Sequence, residues 1–276
     1  MMPSSAVSCV RSRQVLSWGL AALLLTASQL WAAPFRPGAA VLDFQNVGGY
    51  SGHLLSRRAA DQLALDLGAT GCWRVIDRTQ TRRAAQQRGL KPPYAVGLMQ
   101  ELAHAVAADV VFTGAVQKLE VNAREATIRL TLLVECVDQI SGQRAAATVQ
   151  VGEVTAREKA PAPTDVLVGE ALAAASAQAA KAVSVNTGLA LTVTDPGEGK
   201  TVQLKPAAGV QVKSGYRLLL YRALVEGEER TPGKLLAALM VSEVGADTCK
   251  AQVLARAGDI HTDDIAISIC ARGKGD

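Results

Sequence analysis

The octapeptide Ala107-Ala108-Asp109-Val110-Val111-Phe112-Thr113-Gly114 constrains this chain more than any other segment. Two small residues and an acid, followed at once by an apolar run, are what a tight helix-to-strand junction requires. The run is too short to be another helix. Two similar runs precede it, Val41-Leu42-Asp43-Phe44 and Trp73-Arg74-Val75-Ile76-Asp77-Arg78, with helical patterning between them. This alternation predicts an α/β domain in which helices flank a mixed sheet.

The first domain is expected over residues 39–186. Its opening strand, 39–44, leads into the turn-rich loop 46–52, where Ser51 is placed to cap a helix. In that helix Leu55, Ala59, Leu63 and Leu67 follow at four-residue spacing as one apolar stripe, and Gly68 is placed to end it with a left-handed cap. A strand at 72–77 follows, then helices over 79–88 and 94–107 separated by Gly89 and Pro92-Pro93. Next comes the strand 110–116 of the octapeptide, running to a polar hairpin near Arg124. Ala126, Ile128, Leu130, Leu132, Val134 and Cys136 alternate with polar residues, which predicts a strand with one face on the core. A turn at 138–143, a strand at 144–154 and, after Pro161 and Pro163, an alanine-rich helix at 164–185 complete the order β-α-β-α-α-β-β-β-α.

From Thr187 six short strands recur at intervals of turn-forming residues, predicting a small all-β barrel of SH3-like type over 187–272. At the other end, residues 1–33 read as a signal peptide. Arg11 and Arg13 precede an apolar stretch at 15–27, and Ala32 and Ala33 offer small residues for cleavage. The stretch is short for a bilayer span. Its removal leaves 27 basic against 25 acidic residues, a formal charge of +2, which argues against nucleic acid as a partner. Cys9 lies upstream of the apolar stretch and cannot be the lipid-modified first residue of a mature lipoprotein. Four cysteines then remain (Cys72, Cys136, Cys249, Cys270), and they allow three pairings. Alternation sets Cys249 and Cys270 on unlike faces, so buried thiols are expected.

No chemical constellation stands out. Gly197-Glu198-Gly199-Lys200-Thr201 resembles the tail of a phosphate loop, but Thr194 stands where the leading glycine belongs and a strand follows, so a hairpin turn is expected. His53, His104 and His261 are scattered without metal-ligand spacing, and Glu228-Glu229 sits in a polar loop. No catalytic, cofactor or metal residue is therefore assigned. Asp77, Arg78 and Asp109, at strand ends, are expected to be interface or fold-defining polar residues, through capping, ion pairing or a contact between subunits.

These pieces resemble the CsgG family of curli secretion proteins over about residues 39–186. Ala40-Val41-Leu42-Asp43-Phe44 and Arg74-Val75-Ile76-Asp77-Arg78 match its first two strands. Residues 108–114 match its strand and Thr-Gly segment, with Ala107 in place of a glycine. Val137-Asp138-Gln139-Ile140-Ser141-Gly142 is similar to its Asp-x-x-Thr-Gly turn. Gly209-Val210 and Gly215-Tyr216 are similar, more weakly, to the C-terminal domain of flagellar assembly protein T. The resemblance implies an exported, non-enzymatic envelope protein. It would be periplasmic or associated with the outer membrane, without a lipid anchor, and would act in assembly or secretion through protein partners or further copies of itself. Two alternatives stay open: a pore-forming outer-membrane subunit, and a small-ligand binder or enzyme.

Overall fold

The computed structural model describes residues 35–122, 126–156, 164–226 and 229–270. Residues 1–33, expected to be a signal peptide, together with Arg124, Pro161, Pro163, Glu228 and the side chains of His53 and Cys270, lie outside the described residues. The first sheet is built from β1 (Gly38–Val41), β2 (Gln45–Asn46), β3 (Arg74–Val75), β4 (Val110–Asn122), β5 (Thr127–Asp138) and β6 (Arg144–Thr155). Their order is β3-β1-β4-β5-β6, with β2 also on β4. β1 runs parallel to β3 and β4, whereas β4, β5 and β6 form an antiparallel meander, so the sheet is mixed.

Among the described residues four helices cover this sheet. α1 (Gly52–Ala69) and α4 (Thr164–Ser184) pack on one face, α2 (Arg78–Gln87) and α3 (Val96–Ala105) on the other. The two cores follow from strand alternation: Ala39 and Val41 join the α1/α4 side, Ala40 and Leu42 the α2/α3 side. The α1 stripe of Leu55, Ala59, Leu63 and Leu67 is buried as its spacing requires. The alternating face of β5 is buried too, beneath α4.

The octapeptide lies where the sequence places it, and the structure explains two of its residues. Ala107 adopts φ 52°, the left-handed conformation that glycine takes most easily. At Gly114 the Phe44 ring crosses the strand. A Cβ there would stand 2.8 Å from that ring and 2.1 Å from the Leu133 carbonyl oxygen. The turn after β5 is closed by Asp138, whose carboxylate accepts the Ser141 N–H at 2.6 Å. It is tied to α3 by Gln100, whose Nε2 donates to the Gln139 and Ile140 carbonyls at 3.0 and 2.9 Å.

Three local expectations fail. Ser51 has φ 52° and makes no side-chain cap, so α1 starts without one. Gly68 stays within α1, and the left-handed residue is Gly71. Of the strand expected at 72–77, only Arg74 and Val75 pair. Trp73 and Ile76 turn into separate cores, and Asp77 already belongs to the start of α2.

The C-terminal strands are β7 (Ala190–Asp195), β8 (Thr201–Pro206), β9 (Arg217–Glu226), β10 (Glu229–Val244), β11 (Cys249–Arg256) and β12 (Ile265–Cys270). They close in the order β10-β11-β8-β7-β12-β9, every neighbouring pair antiparallel. Gly197 and Gly199 form the β7–β8 hairpin turn, both with positive φ. The barrel does not stand apart: Leu219, Tyr221, Ala238, Ile267 and Ile269 bury themselves in the same core as α1, α4 and the sheet.

Candidate interaction site

Asp77 and Arg78 act inside the fold. Asp77 caps α2, its Oδ1 accepting the N–H groups of Thr79 at 2.8 Å and Gln80 at 3.1 Å. Those hydrogen bonds, Gln80 first, hold its carboxyl below the ordinary range. Arg78 donates to the Val41 carbonyl and pairs with Asp43, and its Nε lies 3.0 Å from Asp61. One turn on, Arg82 joins the same two acids, 2.5 Å from Asp61 and 3.4 Å from Asp43. Burial raises the Asp61 carboxyl, but hydrogen bonds from Arg82 and Arg78 outweigh it and leave the pKa lowered. The result is a neutral two-arginine, two-acid cluster joining α1, α2 and the end of β1. Sequence reasoning found Arg78 and missed Asp43, Asp61 and Arg82. The four-residue spacing of Arg78 and Arg82 was the available signal.

Asp109 sits where the sheet meets the barrel. Its carboxylate accepts the Gly38 N–H at 2.6 Å, and its own N–H donates to the Gly38 carbonyl at 2.7 Å, stitching β4 to β1. Arg74 donates to the Ala107 carbonyl beside it at 3.3 Å. Burial, and after it the neighbouring Asp109 charge, push the Tyr221 hydroxyl of β9 well above its ordinary value. The Tyr221 ring meets Phe35 edge-on at 4.9 Å. Burial raises the Asp109 carboxyl above its ordinary 3.8, and the Gly38 N–H and Arg74 offset this only in part.

A raised carboxyl binds its proton more tightly folded than unfolded. The stability it contributes is therefore full below the ordinary carboxyl pKa and is lost as pH rises through the folded value. Asp109→Asn keeps an acceptor for Gly38 and removes the charge. Urea unfolding across the acidic range is expected to show the wild type losing stability relative to this variant as pH rises. Parallel curves would mean that Asp109 does not titrate in this way.

The second face of the sheet carries an open groove of about 400 Å³. Pro92, Pro93, Tyr94, Val96 and Met99 line one side; Thr113, Ala115, Leu133 and Val137 of β4 and β5 line the other. Burial and the nearby Asp43 carboxylate push the Tyr94 phenol up to about 12, so it stays neutral and acts as a largely apolar wall. Glu135, paired with Arg144 at 2.5 Å, marks the rim. Beyond it no described residue covers the sheet face. Val149 lies opposite Leu133 and Val151 opposite Thr131, and they are 52% and 45% exposed. A second pair, Arg129–Glu153 at 2.7 Å, bounds this strip. The surface is thus an apolar groove and strip between two neutral ion pairs, suited to binding by shape and desolvation.

No group of three metal-ligating residues occurs among the described residues. His104 lies exposed on α3, and the His261 N–H donates to Asp264 at 2.8 Å in a loop. Cys72 and Cys249 are free thiols, the second buried, and Cys136 is buried in the core. No protein-family model and no curated protein sequence matches the chain. Among solved structures it is similar to the PelC dodecamer of Paraburkholderia phytofirmans, with 16% identity, 51% of this chain and 86% of that chain covered, and a TM-score of 0.37. It is also similar to lipoprotein GNA1162 of Neisseria meningitidis, with 12% identity, 48% and 90% covered, and a TM-score of 0.37. The third is E. coli LpoB, with 16% identity, 55% and 79% covered, and a TM-score of 0.34.

Proposed function

We infer that the chain is a non-enzymatic, exported cell-envelope protein acting through protein contacts, as an assembly or secretion adaptor or scaffold of the CsgG-like type. The observation that carries this reading is the open apolar groove with its uncovered strip. The polar residues that the sequence singled out are engaged inside the fold, so what the surface offers a partner is apolar shape. The composition of residues 1–33 supports export to the periplasm. The barrel is read as a second module of SH3-like type, related to that of flagellar assembly protein T. With Cys9 upstream of the apolar stretch, association with the outer membrane would come through protein partners, further copies of the chain among them.

A pore-forming outer-membrane subunit is the competing reading. One observation bears on it: the alternating face of β5, from Ile128 to Cys136, is buried under α4 and not presented outward as a lipid-facing strand would be. α4 is itself long and apolar enough to cross a membrane, but half of that stretch is buried in the core.

Fractionation of native cells with sizing of the mature chain tests the assignment. The expected result is a processed chain in the periplasm or outer-membrane fraction, cross-linked to other proteins. Leu133→Lys, which charges the groove, should reduce those cross-links several-fold. An unprocessed cytoplasmic chain, or a detergent-extracted ring, would overturn the reading.

A further inference from the structure

The strand order leaves β6 at the margin of its sheet, and among the described residues no strand pairs with its outer edge. Twelve residues of open edge present a row of N–H and C=O groups that template pairing with another strand. Soluble proteins blunt such edges with proline, lysine or inward charge. Between Arg144 and Glu153 this edge has none of these: residues 145–152 are Ala145, Ala146, Ala147, Thr148, Val149, Gln150, Val151 and Gly152. Charge occurs only at its two ends, and there with opposite sign.

We propose that this edge pairs antiparallel with the same edge of a second copy of the chain, about a two-fold axis at Val149. In that register Val149 faces its own counterpart and Ala147 faces Val151, placing apolar residues at the centre. Glu153 of each strand then faces the Ala145 and Arg144 end of the other, where β6 already shifts register against β5. Arg144 and Glu153 are both largely accessible, so opposite charges meet twice by symmetry.

The pairing does not depend on the envelope assignment.

The test uses the mature full-length chain. Sedimentation is expected to show a dimer, and Val149→Lys, which sets two ammonium groups opposite one another, should raise its dissociation constant roughly 10-fold or more. Under oxidation Val149→Cys should form a disulfide-linked dimer, because self-opposed residues in an antiparallel pair have Cα atoms about 4.5–5.5 Å apart, within disulfide reach. Val151→Cys lies about 13 Å from its counterpart in this register and should not cross-link. Glu153→Arg should weaken the dimer and added Arg144→Glu restore it. A monomer at the highest soluble concentration would leave the edge to a foreign strand and overturn the proposal. So would a dimer indifferent to Val149→Lys, or one that cross-links equally well through Val151→Cys.

Discussion

Gly152→Ala is expected to destabilise the protein by roughly 3 kcal/mol or more, toward the upper end for overpacking a core. Gly152 lies in β6 opposite Leu130, at the point where α4 crosses the strand. A Cβ added there would stand 1.8 Å from the Ala171 carbonyl oxygen and 2.9 Å from the Ala175 backbone nitrogen. Both obstacles are helix backbone, so no rotamer change relieves the clash. α4 must lift from the sheet, and Ala171, Ala175 and Ala179, all fully buried, then lose their contacts with β5 and β6. A chain shortened to begin at Pro34 offers a direct readout, because two of the three tryptophans of the full sequence, Trp18 and Trp31, lie within residues 1–33. Urea unfolding followed by Trp73 fluorescence should show the midpoint falling by about 1 M or more. An unchanged midpoint would mean that α4 does not rest on Gly152 as described.

The same crossing shows what the sequence could and could not convey. Periodicity is local, and where it was strong it placed the elements correctly: the α1 stripe, the alternating residues of β5 and the six barrel strands. The Asp138 turn and the Gly197-Gly199 hairpin were legible for the same reason, since their residues have local backbone demands. Ser51 had the right chemistry for a cap, but its backbone sits in the left-handed region and cannot use it. Of the Asp43–Asp61–Arg78–Arg82 cluster only Arg78 was legible, because its members lie up to 39 residues apart and meet only when α1 and α2 settle against β1. The groove and the β6 edge were hidden by a different limit. Alternation tells which residues of a strand face the core. It does not tell whether the other face is left uncovered, or which strand ends the sheet.

Trp73→Ala is expected to cost about 3–5 kcal/mol, the range for truncating a buried aromatic residue. Trp73 is 2% exposed, stands edge-on to Phe112 at 5.2 Å and donates its indole N–H to the Ser184 hydroxyl at 2.8 Å. Truncation therefore opens a cavity between β4 and the helices, and also leaves the Ser184 hydroxyl without its donor. The effect should extend beyond the sheet. Ser184 ends α4, and just after it Asn186 accepts from the Ser268 hydroxyl while Thr187 donates to the Ile269 carbonyl at 3.1 Å. The tryptophan thus braces a segment that runs directly into the barrel, whose residues share its core. A shared core predicts one cooperative melt of sheet and barrel together, shifted down by about 10 °C in the variant when followed by circular dichroism. A melt that splits into two steps, with the later step at the wild-type temperature, would show that the barrel is stable without the α/β layer and that their common core contributes little.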